Sequence, residues 1–115
     1  MVDSKSHPPR SSMPDWRRHL VVATTEHEIV NLTREYVATW SPDDMSRLPE
    51  ECRPGRIRDA EDISQCAYDL ARAHTSLRYD EEQDMLMQRM LSFMAEAAMR
   101  MAEVKAVEAA AAKGA

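Results

Sequence analysis

The stretch EEQDMLMQRMLSFMAEAAMRMAEV, residues 81–104, decides the fold class of this chain. It holds six of the nine methionines, and it lies inside a longer segment, residues 56–113, that contains neither glycine nor proline. All six prolines fall within residues 1–55. Because glycine and proline are the residues that most disfavour helix interiors, the second half of the chain is predicted to be helical.

Apolar residues in this stretch recur at intervals of three and four, which is the spacing of one helix face. We call this set the methionine face: Met87, Met90, Met94, Ala97, Met101 and Val104. A helix over residues 81–112 is roughly 48 Å long, about twice the length of any other predicted helix. One chain is therefore expected to leave part of this face exposed, which soluble monomers rarely do. We predict that the face is the interface of a homodimer, parallel or antiparallel, or the groove for a partner protein.

Upstream of the long helix, the pattern predicts two helices in the middle of the chain. Thr25 and Glu28 have the spacing of a capping box and begin a helix over residues 25–40. A short helix follows over residues 42–48, with Ser41 as its N-cap and Pro42 at its first position.

A third upstream helix is predicted over residues 59–74, capped by Asp59. We predict a break at residues 75–79, because Asp80 and Gln83 resemble a new helix start. One continuous helix is the alternative, because no glycine or proline interrupts this segment. The chain is thus expected to be an all-α small helical bundle with a long C-terminal helix, completed by dimerisation. The alternative is a monomeric bundle of three or four helices with a solvated tail.

The two ends of the chain are predicted to differ from this body. Residues 1–14 have the serine- and proline-rich composition of a disordered leader, and residues 113–115 are expected to fray. Residues 15–112 form one domain, in which residues 15–23 fit a helix or a strand and Trp16 anchors the segment.

Composition and charge indicate where in the cell the protein is found. The 115 residues carry a net charge of −5, no run of apolar residues approaches membrane-spanning length, and no signal-type apolar region follows the N-terminus. Cys52 and Cys66 have no metal-ligand spacing, so reduced thiols and a cytoplasmic location are expected. Cys66 falls on the apolar face of its helix, whereas Cys52 lies in a loop and is expected to be more exposed.

No residue pattern indicates a cofactor, a metal site or a catalytic centre. The methionines are expected to form a core rather than to bind copper, because their spacing coincides with the apolar face. His27 is predicted to be an exposed first-turn residue, and His74 a half-buried histidine with satisfied hydrogen bonds.

The loop before the third upstream helix carries a cluster of arginines, Arg53, Arg56 and Arg58, beside a Pro-Gly turn. These guanidinium groups either contact an anionic partner or pair with the neighbouring carboxylates. We prefer the pairing, and we retain the cluster as the best candidate contact for a phosphate or an acidic partner.

The sequence therefore predicts a non-enzymatic, homodimeric protein–protein interaction module, acting as an adaptor, assembly factor or regulator. The alternative is a nucleic-acid-associated regulator that uses Arg53, Arg56 and Arg58. A small enzyme is the third hypothesis, and it requires a pocket lined by His27, His74 or Cys52.

Overall fold

The structure, a computed structural model, describes residues 13–74 and 79–114. These residues form five α-helices and no strand: α1 (Met13–Val22), α2 (Glu26–Ala38), α3 (Pro42–Arg47), α4 (Ala60–His74) and α5 (Glu81–Gly114). A short 3₁₀ turn, Glu50–Cys52, lies between α3 and α4. The prediction of an all-α fold with a long C-terminal helix is confirmed.

Two predicted helix starts are formed by the side chains expected to cap them. Thr25 Oγ1 accepts a hydrogen bond from the Glu28 backbone N–H at 3.1 Å, and Glu28 Oε1 accepts one from the Thr25 N–H at 3.1 Å. Ser41 Oγ accepts from the Asp44 N–H at 3.0 Å and begins α3 at Pro42. Helix α2 ends at Ala38, two residues before the predicted end.

The predicted division of the second half into two helices is confirmed. Helix α4 ends at His74, and α5 begins after Asp80, whose Oδ1 accepts from the Gln83 N–H at 2.8 Å. Gln83 Oε1 accepts from the Asp80 N–H at 3.4 Å in return, which completes a second capping box. Residues 75–78 lie outside the described residues.

The segment left open between helix and strand is helix α1, which begins at Met13. Its Trp16 is buried, as expected, and meets the rings of Tyr36 and Phe93 edge to face at 5.6 and 5.9 Å. Because α1 begins at Met13, residues 13 and 14 are helical and do not belong to a leader. The leader prediction for residues 1–12 lies outside the described residues. At the other end α5 continues to Gly114, two residues beyond the predicted end, and Ala115 lies outside the described residues.

Helix α5 is the element on which α1, α2, α3 and α4 all pack. Helix α1 runs parallel to it, because Trp16 meets Phe93 and Leu20 lies further along, beside Arg100. The Arg100 guanidinium donates to the carbonyl oxygens of Leu20 at 3.0 Å and Ala23 at 2.8 Å, and so caps the C-terminal end of α1.

The expectation that one chain leaves the methionine face exposed is wrong. Its six side chains are between 0 and 4 % exposed within a single chain. The lengths of the predicted helices gave the wrong expectation for two reasons. Helices α1, α2 and α4 lie side by side around α5, and the methionine face ends at Val104. Beyond Val104 the long helix carries little that needs burial, so the extra length of α5 is not matched by extra apolar core.

Candidate functional site

The methionine face forms the core of the bundle. Met90, Met94 and Ala97 are fully buried, and Phe93 beside them stacks on Tyr36 with ring centroids 4.1 Å apart and planes 5° apart. The prediction that these methionines pack in the core is confirmed. A partner protein would reach this face only after the bundle opened, so the exposed surfaces are the candidates for binding.

The arginine loop is held mainly by the protein itself. Arg58 Nε lies 3.0 Å from an Asp62 carboxylate oxygen, as the pairing interpretation predicted. Arg53 instead donates to backbone carbonyls, of Leu48 at 2.9 Å and of Ser46 at 2.8 Å, and so ties the loop to α3. Arg56 is exposed and makes no hydrogen bond or ion pair with another described residue. The three guanidinium groups therefore do not form one free basic surface.

Both cysteines are buried, so the prediction of an exposed Cys52 is wrong. The 3₁₀ turn directs the Cys52 side chain inward, where its Sγ lies 3.5 Å from the Pro49 carbonyl oxygen. Burial raises the pKa of Cys52 to about 11 and that of Cys66 to about 12. Both thiols are protonated at neutral pH, which is the unreactive form.

His27 and His74 have different structural roles. His27 is exposed in the first turn of α2, with Asn31 Nδ2 3.1 Å from its Nε2. His74 is half-buried and joins α4 to α5, because its Nδ1 lies 2.6 Å from an Asp84 carboxylate oxygen and its Nε2 lies 3.2 Å from Gln88 Nε2. Both predictions are confirmed, and no group of three metal-ligating side chains occurs within residues 13–74 and 79–114.

An open groove of about 580 Å³ lies where the start of α4 meets α5. We call it the carboxylate-rimmed groove. Its rim carries Glu26, Asp59 and Glu61, and α5 supplies Lys105. The other lining residues are small or apolar: Ala60, Ser64, Ala98, Met101 and Ala102. Glu26 Oε2 accepts from the Ala60 N–H at 3.4 Å, which places this carboxylate at the first turn of α4.

The groove adjoins the part of α5 that extends beyond the bundle. Residues 105–114 are helical and exposed at every position, over about 15 Å. We call them the projecting end. A helix covered on one side alternates buried and exposed residues, so uniform exposure means that no other described helix buries this segment; its first residue, Lys105, borders the groove.

Sequence reasoning did not identify the groove. Its rim combines residues from two helix starts that are more than 30 positions apart. The helical spacing of residues within one helix does not predict which distant helix start will lie beside it. The only available signal was the concentration of acidic residues at the two predicted starts.

Comparison of the chain with protein-family models, with curated proteins and with solved structures finds no match. None of the described helices combines the length and the apolar character that crossing a bilayer requires.

Proposed function

We propose that this protein is a non-enzymatic protein–protein interaction module that works as a homodimer in the cytoplasm, as an adaptor, assembly factor or regulator. The observation that carries the proposal is the projecting end. Helices are recognised by partners through faces that their own fold leaves uncovered. Here one segment of ten residues has no buried position.

The contact surface differs from the one that the sequence suggested. The methionine face is buried in the core, whereas the projecting end of α5 is exposed and available for a partner. Its alanines allow a second helix to approach closely, while Lys105, Glu108 and Lys113 supply charges that favour one orientation over another.

Sedimentation of the full chain over a range of concentrations tests the proposal. A species of twice the 13.1 kDa chain mass is expected. Ala109→Lys should weaken association, because it adds a positive charge to a projecting end that already carries Lys105 and Lys113, while Ala71→Lys on the exposed side of α4 is the matched control. A 13.1 kDa species at every concentration contradicts the homodimer, and equal weakening by both variants contradicts the location.

Binding to nucleic acid is measured on the same samples. Retention on duplex DNA at low salt that falls steeply as salt rises would support a nucleic-acid function instead. Because Arg53 and Arg58 are engaged within the chain, we expect no such retention.

A further inference from the structure

The side of α5 that faces the carboxylate-rimmed groove continues onto the projecting end. Ala98, Ala102 and Lys105 line the groove. Ala109 and Ala112 follow them at intervals of four and three, which keeps all five residues on one side of the helix. Such alternation of three and four is the repeat through which two long helices pack side by side. Helix α4 covers this side of α5 only as far as the groove.

We propose that two copies of the chain pair through their projecting ends in antiparallel orientation, with each end lying along the carboxylate-rimmed groove of the other copy. This inference rests on the proposed function and specifies its partner and its geometry. In this register Lys105 lies opposite Ala109 of the second copy, and Ala112 opposite Ala102. The two-fold axis then passes at the level of Val107, near the middle of the projecting end.

The charges of the chain favour the projecting end of a second copy as the occupant of the carboxylate-rimmed groove. In antiparallel register Lys113 of the second copy lies at the level of Met101, where the groove carries three carboxylates, Glu26, Asp59 and Glu61, against one lysine of the same chain, Lys105. Symmetry repeats the contact at the other groove, so each copy both donates a lysine and accepts one.

The second charge contact lies closer to the axis. Lys105 of one copy is next to Glu108 of the other, and the pair occurs twice. All three charged residues of the projecting end thus meet an opposite charge. A parallel pair places like residues side by side, including Lys105 against Lys105, so the charges select the antiparallel orientation.

Cross-linking tests the register directly. Ala102→Cys and Ala112→Cys each replace an exposed alanine, and a short bis-maleimide joins thiols that lie close together. An equal mixture of the two variants is expected to give a covalent dimer, and each variant alone is expected to give little. The unmodified chain is the control, because its two cysteines are buried.

Charge exchange tests the contact with the groove. Lys113→Glu is expected to raise the dissociation constant of the dimer about three-fold, as for an exposed ion pair. Adding Glu61→Lys to Lys113→Glu should recover most of the lost dimer affinity, because the ion pair then forms again with its charges exchanged.

The outcomes separate this inference from the proposed function. A dimer in which each single-cysteine variant cross-links on its own overturns the antiparallel register and leaves the homodimer standing. A dimer in which charge exchange gives no recovery overturns the role of the groove. A chain that remains monomeric overturns both the pairing and the homodimer.

Discussion

Replacing Met94 by alanine tests the assignment of the methionine face to the core. Met94 is fully buried, whereas Met99, five residues later on the same helix, is 63 % exposed. The two residues are of one type in one element, so Met94→Ala and Met99→Ala differ mainly in burial. Met99→Ala is therefore the matched control.

The expected magnitudes follow from that difference in burial. Truncating a buried methionine to alanine destabilises a protein by about 2–5 kcal/mol, through lost transfer free energy and the cavity left behind. We expect about 3 kcal/mol for Met94→Ala, because α1, α2 and α4 surround this part of α5. For Met99→Ala we expect a change within about 0.5 kcal/mol, as for most surface substitutions.

Urea denaturation followed by circular dichroism at 222 nm measures both changes. The experiment is run at two protein concentrations, because the free energy of unfolding of a dimer depends on concentration. If Met94→Ala is no more destabilising than Met99→Ala, the methionine face is not the core of the folded chain. If the difference between the two variants appears only at high concentration, the face is covered by a second copy instead.

Three further predictions concern local features. Thr25→Ala removes half of the capping box of α2 and should lower the free energy of unfolding by about 1 kcal/mol, measured by urea denaturation. Cys52 and Cys66 should resist alkylation at pH 8 in the native protein and react rapidly in urea; fast labelling of Cys52 in the native protein would contradict its burial. The pKa of Asp62 lies below its usual value of 3.8, and the hydrogen bond from Arg58 is the largest cause. This pair therefore stabilises the fold above pH 3.8, and its contribution is lost as the pH falls through the lowered pKa. Asp62→Asn should flatten the acid side of the stability profile, and an unchanged profile would exclude the pair as a contributor.

Helix boundaries were predictable from the sequence where a side chain caps its own helix. Thr25, Ser41 and Asp80 each bond to a backbone N–H three residues later, so the information lies within four residues of sequence. The predicted ends were less accurate, because no single side chain specifies them. Helix α2 stops at Ala38 even though the apolar pattern continues to Trp40.

Packing was less predictable, because it depends on contacts between distant segments. The sequence left residues 15–23 between helix and strand, and their identity as a helix decides how much of α5 is covered. Without that helix the methionine face looked too long for one chain. The burial of Cys52 was missed for a related reason, since a 3₁₀ turn of three residues leaves no periodic pattern to recognise.

The candidate site was partly visible in the sequence. The alanine-rich composition of residues 106–112 is typical of a helix end with little to bury, and the structure shows this end exposed at every position. The groove at its base was not visible, because Glu26 and Glu61 meet only after α2 and α4 have docked on α5.

The cap that Arg100 provides for α1 has a consequence for the order of folding. Helix α1 receives its C-terminal hydrogen bonds from a residue about 80 positions later, whereas α4 and α5 adjoin in sequence and form a local hairpin. Contacts of high sequence separation form late, because closing the intervening loop is entropically unfavourable. Helix α1 should therefore dock last and be released first, so that its amides exchange with solvent deuterium before those of α4. During synthesis Trp16 lacks its contact with Phe93, and Leu20 its hydrogen bond from Arg100, until these residues of α5 have left the ribosome.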